Sequence, residues 1–117
     1  MNLLELKTPE DYAHACNMAV NTLEEVIDYQ SYPVKAGENF TKNRRSLGIG
    51  LTNLAGWLAK NKLKYDDPET LPLVHEMIER IQWNLIDASC RIAQDVGPCA
   101  KFEETKYAQG LLPIDWY

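Results

Sequence analysis

Apolar residues return at helical spacing in three long stretches of the chain. In the first, Tyr12, Cys16, Ala19, Leu23 and Val26 or Ile27 recur every three or four residues, while His14, Asn17, Asn21, Glu24 and Asp28 take the opposite side. Thr8-Pro9-Glu10-Asp11 opens this helix: Thr8 as N-cap, Pro9 where a missing N–H costs nothing, and two acids beside the positive end of the dipole. Tyr32-Pro33 is expected to stop it. The polar stretch from Val34 to Asn43, which contains a glycine, is expected to be a connector. A second helix is predicted to follow, with Leu47, Leu51, Leu54 and Leu58 along one stripe.

The third helix is announced by Asp67-Pro68-Glu69-Thr70, with Pro72 favouring Thr70 as its N-cap. Its main stripe is Val74, Ile78, Ile81, Leu85, Ala88, Ile92 and Val96, and Gly97-Pro98 is the expected stop. A short fourth helix around Glu103 to Ala108 is expected to end at Gly110. Repeats, low-complexity tracts and strong strand alternation are absent, so the predicted class is all-α: three main helices plus a short fourth.

Three features of this pattern ask for more protein than the chain holds. Ser46 to Ala59 carries no charge, and a helix apolar on nearly every face is normally buried on nearly every face. Trp83, Ile86 and Cys90 form a second apolar strip on the third helix, away from the first. Leu111-Leu112-Pro113-Ile114-Asp115-Trp116-Tyr117 is unusually apolar for a terminus.

Composition narrows the classes. At 117 residues, 45% hydrophobic and 25% charged, the chain is expected to form one domain, residues 1–117, with a radius of gyration of about 13 Å if compact. No apolar run approaches the ~20 residues of a membrane span, and Met1-Asn2-Leu3-Leu4-Glu5 does not resemble a secretory leader, so a cytoplasmic protein is expected. A net charge of −5 argues against nucleic-acid binding; the best basic cluster is Lys42, Arg44 and Arg45. Three cysteines without C-x-x-C spacing suit neither a disulfide framework nor a zinc site and read as reduced thiols. Asn39-Phe40-Thr41 has sequon form, which matters only on a secretory route.

Each candidate for chemistry has a plainer explanation. Glu24, Glu25 and Asp28 resemble a metal-binding bundle helix, but the partnering Glu-x-x-His spacing is missing, so a solvated face is expected. His75 and Glu79 sit one turn apart without a third ligand. Gly48-Ile49-Gly50 with Gly56 fits neither dinucleotide nor P-loop spacing. Arg44 and Arg45 would oppose the dipole at the start of the predicted second helix, so carboxylates from elsewhere are expected to hold them. Cys16, Cys90 and Cys99 have no adjacent activating group and are expected to be inert.

Asp28-Tyr29-Gln30-Ser31-Tyr32-Pro33, Arg44-Arg45-Ser46-Leu47-Gly48-Ile49-Gly50 and Ala55 to Lys60 resemble an internal stretch of the large, catalytic subunit of class I ribonucleotide reductases. The likeness continues through Gly97-Pro98-Cys99, Phe102-Glu103-Glu104-Thr105, Tyr107-Ala108-Gln109-Gly110 and Leu111-Leu112-Pro113-Ile114-Asp115. The resemblance implies a piece of a ten-stranded α/β barrel that reduces ribonucleotides with a thiyl radical, a redox cysteine pair and neighbouring Asn and Glu groups. It also implies a separate small subunit, whose dinuclear metal and radical centre starts the chemistry, and a thiol reductant. The family's Asn-x-Cys-x-Glu motif, adjacent tyrosines and C-terminal cysteine pair are absent here. No catalytic, cofactor-binding or metal-binding residue is therefore carried over. The expected role is a supporting segment partnered by the rest of the large subunit. The alternative is a small helical interaction module using Trp83, Ile86 and Cys90; a self-sufficient enzyme has no constellation to support it.

Overall fold

The computed structural model describes residues 1–116; Tyr117, assigned above to the apolar terminus, lies outside them. Four α-helices are formed: α1 (Pro9–Tyr29), α2 (Lys35–Arg44), α3 (Leu54–Lys60) and α4 (Thr70–Val96). A 3-10 turn at Leu3–Glu5 precedes α1, and three more, Phe102–Glu104, Tyr107–Gln109 and Pro113–Trp116, follow α4. The only β-type pairing among the described residues is an isolated parallel bridge between Asn2 and Thr52.

α1 starts as its sequence dictates. The Thr8 hydroxyl accepts from the Asp11 N–H, and the Asp11 carboxylate accepts in return from the N–H groups of Lys7 and Thr8. The helix ends at Tyr29, short of Tyr32-Pro33, because the Tyr32 hydroxyl donates to the Ile27 carbonyl at 2.7 Å and satisfies an end-of-helix acceptor. Its buried positions are Tyr12, Cys16, Val20 and Ile27, so Val20 replaces Ala19 on the inner stripe and Val26 faces out.

The expected connector at 34–43 is instead helix α2. It buries no residue, so apolar periodicity could not reveal it; Glu38 braces it with ion pairs to Lys35 and Lys42, and Lys42 and Arg44 complement its C-terminal dipole. Conversely, the helix predicted across Ser46–Ala59 forms only from Leu54. Residues 46–52 are irregular or extended, and burial alternates: Leu47, Ile49 and Leu51 are half-buried, while Ser46, Gly48, Gly50 and Thr52 are exposed. Asn53, left-handed at φ 69°, turns this segment into α3.

α4 runs as predicted over 27 residues and stops at Gly97, φ 90°. Thr70 is its first helical residue rather than its N-cap, with its hydroxyl donating to the Lys64 carbonyl at 2.6 Å. Its buried stripe is Thr70, Met77, Ile81 and Ala88; Ile78 and Val96, placed on that stripe by periodicity, are exposed. The fourth helix expected at 103–108 is two separate 3-10 turns, interrupted by Thr105 in extended conformation, although Gly110 ends the second one left-handed at φ 74°.

The main core joins the N-terminal halves of α1 and α4 through Tyr12, Cys16, Met77 and Ile81, with Leu3 and Leu6 closing its end and Leu51, Leu54 and Trp57 packed against it. The radius of gyration is 16.7 Å and the extents are 49 × 31 × 25 Å, well beyond the compact ~13 Å. The accessible surface of 8552 Å² exceeds by about 2,000 Å² the ~6,500 Å² of a compact monomer of this mass.

Candidate functional site

The most ordered polar constellation lies where α2 gives way to the extended segment. Arg45 adopts the left-handed conformation, φ 49° and ψ 43°, and its N–H donates to the Thr41 carbonyl at 2.7 Å. This backbone turns its side chain onto α1. Nη1 and Nη2 donate to the Asp28 carboxylate at 3.2 and 2.8 Å, Nη2 also reaches the Glu24 carbonyl at 3.1 Å, and Nε donates to the Glu24 carboxylate. The hydrogen-bonded Asp28 carboxylate holds the guanidinium well above its ordinary pKa, and Arg45 in turn holds the Asp28 carboxyl below the usual carboxylate range.

Arg44 and Asn43 extend this junction to the C-terminal segment. Arg44 stacks over Phe40, with its guanidinium carbon 4.6 Å from the ring centroid, and pairs with Glu104 at 3.3 Å. The Lys101 N–H donates to the Asn43 carbonyl at 3.0 Å. The basic pair thus ends α2, where cations suit the dipole, instead of starting a helix. Its carboxylate partners come from this same chain.

From Arg45 the backbone enters the extended segment, and only its far end is paired. Thr52 exchanges main-chain hydrogen bonds with Met1 and Leu3 at 2.8 and 3.1 Å, while the Met1 ammonium donates to the Gly50 carbonyl at 2.7 Å. Asn53 Nδ2 donates to Asn2 Oδ1 at 3.2 Å. Residues 46–49 make no backbone hydrogen bond among the described residues. They form an open strand-like edge without a charge or proline to blunt it.

The other sequence candidates are not brought together. Glu24 and Asp28 are engaged by Arg45, and Glu25 is exposed. His75 and Glu79 are both exposed, and no ion pair links them among the described residues. Gly48 and Gly50 lie in the extended segment, where a Cβ would meet nothing within 4 Å; at Gly56 in α3 it would collide with the Asn53 side chain. Cys16 is fully buried, its Sγ donating to the Ile81 carbonyl at 3.8 Å, and burial pushes its thiol pKa up; Cys90 is exposed and Cys99 half-buried. Trp83 stands 64% exposed on α4, with Ile86 half-buried beside it. Among the described residues no group of three or more His, Cys, Asp or Glu side chains could hold a metal ion, and no helix is long and apolar enough to cross a membrane.

Sequence reasoning missed the junction at Arg45. Its signal was present: Glu24 and Asp28 lie one turn apart on α1, a spacing that one forked guanidinium can bridge.

Comparison with known proteins places this arrangement. Residues 2–117 match the family model described as "Ribonucleotide reductase, barrel domain". The alpha subunit of ribonucleoside-diphosphate reductase from Buchnera aphidicola subsp. Acyrthosiphon pisum is 43% identical over 116 residues, covering 99% of this chain and 15% of the relative. The subunit of the same name from Enterobacteria phage T4 is 46% identical over 98 residues, or 84% of this chain and 13% of the relative. In Escherichia coli K12, the alpha subunit of ribonucleoside-diphosphate reductase 1 is 45% identical over 91 residues, or 78% and 12%. The chain therefore spans about 15% of the length of relatives that it matches from end to end. With its open strand-like edge and a match that runs from residue 2 to residue 117, the chain belongs to the ribonucleotide reductase barrel-domain family.

Proposed function

We propose that this chain is a structural, non-catalytic segment of the large subunit of a class I ribonucleotide reductase, which converts ribonucleotides to deoxyribonucleotides in the cytoplasm. The observation that carries the reading is the unpaired extended segment 46–49 within a match to a barrel domain. A neighbouring strand supplied by the rest of the large subunit would satisfy its N–H and C=O groups and make it one strand of the ten-stranded barrel. Arg45 at one end and the Met1–Thr52 pairing at the other hold the segment extended for that purpose.

The chemistry belongs to the assembled enzyme: a small subunit with a dinuclear metal supplies the radical, and a thiol reductant restores the active site. This chain's own cysteines offer neither a converging pair nor an activated thiol; Cys16 is buried against a carbonyl and its pKa is raised. The experiment combines the chain with the remaining large subunit, the small subunit and a dithiol, and follows deoxyribonucleotide formation together with amide exchange. The expected result is no turnover by the chain alone, turnover on assembly, and new protection at the amides of Leu47, Gly48 and Ile49. Turnover should survive replacement of Cys16, Cys90 or Cys99 by Ala. Turnover by the isolated chain, or assembly that leaves those amides exchanging freely, refutes the reading.

A further inference from the structure

One face of α4 has a charge order that complements itself. Glu76, Arg80, Trp83, Asp87 and Arg91 fall within an arc of about 80° around the helix axis, away from the stripe of Met77, Ile81 and Ala88 that packs on the core. Along the helix the face reads negative, positive, Trp, negative, positive. Arg80 pairs with Glu76 at 3.0 Å and Arg91 with Asp87 at 2.6 Å, so the four charges are ordered on the surface, and Trp83 is exposed between the two pairs. Beside Trp83 a shallow concavity of about 310 Å³ is lined by Glu76, Glu79, Arg80 and Trp83.

An identical helix laid antiparallel over this face, with the two-fold axis beside Trp83, sets every charge against its opposite. Residue 80 then faces 87 and residue 76 faces 91. A parallel copy in register sets like against like, which is unfavourable. The antiparallel copy also brings its Trp83 indole to the concavity, where Arg80 can lie against the ring. The isologous form is the commonest oligomer geometry. The chain's surface excess of about 2,000 Å² is ample for a standard interface of ~800 Å² per partner.

We infer that a second copy of this chain docks on this face, α4 against α4 and antiparallel, with Arg80 of each copy facing the partner's Asp87, Glu76 facing the partner's Arg91, and the two Trp83 side chains at the axis. The inference rests on the face of α4 and is independent of the enzymatic reading.

Sedimentation equilibrium of the 117-residue chain at low salt tests it. A dimer is expected, weakening as salt rises. Arg91→Glu and Glu76→Arg change exposed side chains and should each raise the dissociation constant about tenfold, since each reversal converts two symmetry-related attractions into repulsions. The double variant Glu76→Arg/Arg91→Glu should return to within about threefold of the parent chain, and an equimolar mixture of the two single variants should form the mixed dimer. Circular dichroism of each variant separates loss of association from loss of fold, and Trp83→Ala gives a second, uncharged disruption. A chain that stays monomeric at its highest soluble concentration overturns the inference. So does association that survives Arg91→Glu and Trp83→Ala, which would instead place the contact at the open edge of residues 46–49.

Discussion

Replacing Arg45 separates two opposing contributions that the structure superimposes at one residue. The left-handed backbone at φ 49° costs a non-glycine residue about 1 kcal/mol, while the guanidinium binds the Glu24 carboxylate and carbonyl from a position with only 22% of its side chain exposed. A charge-assisted hydrogen bond contributes about 1.5–3 kcal/mol when shielded, and partial exposure here discounts that to about 1–2 kcal/mol. Arg45→Ala removes the bonds and keeps the backbone cost, so it should lose about 1–2 kcal/mol. Arg45→Gly removes both and should recover about 1 kcal/mol of that loss. Arg45→Lys keeps one charge but cannot span both partners, and should fall between the parent and Ala. Urea unfolding followed by circular dichroism gives the differences, and each 1 kcal/mol should move a thermal midpoint by about 4–8 °C. If Ala matched the parent, the junction would contribute no stability. If Gly were no better than Ala, the left-handed turn would not be where the chain changes direction.

Acid should loosen this junction. The Asp28 carboxyl is held below its ordinary pKa by Arg45, and Asp11, Glu38 and Glu104 are lowered by their own partners; such groups stabilise the fold above their unfolded pKa values of about 4 and lose that contribution as pH falls through the folded values. The urea midpoint should therefore be flat near neutrality and fall below about pH 4, less steeply in Arg45→Ala; an identical acid dependence in that variant would remove Asp28 from the account. Among the thiols, Cys90 should react rapidly with a disulfide reagent in the native chain, while Cys16 should react only on the timescale of unfolding. Fast labelling of all three would mean that the α1–α4 core is open.

Where local chemistry and burial agreed, the fold was legible. α1 and α4 carry long apolar stripes, and their ends are marked by Thr8, Pro9, Asp11 and Gly97, each of which does in the structure what its residue type favours. α2 was hidden because its helix rests on ion pairs around Glu38 and buries nothing. Ser46 to Ala59 misled for the opposite reason: Leu47, Leu51, Leu54 and Leu58 fit a helical stripe, yet Leu47, Ile49 and Leu51 also fit a period of two, and Gly48 and Gly50 favour the extended alternative. The expectation that Arg44 and Arg45 need carboxylates was met by Glu104, Glu24 and Asp28. Which carboxylates they were depended on where α2 ended, which no apolar period could reveal. The exposed Trp83 was legible from its distance around α4 from the main stripe.

The placement of Leu3 and Leu6 governs when the molecule can form during synthesis. Their neighbours include Leu51, Leu54, Met77 and Ile81, so the first residues made wait for partners encoded some 50 to 80 positions later. At a translation rate of roughly 5–20 residues per second, that interval is about 4–15 s, far longer than the microsecond formation of α1 itself. During it, α1 emerges with Tyr12, Cys16 and Val20 uncovered, and a chaperone or nascent-chain contact would have its opportunity there. Closure is set by the arrival of α4 at the ribosome exit, which makes the order of synthesis, rather than helix propensity, the slow step in building the core.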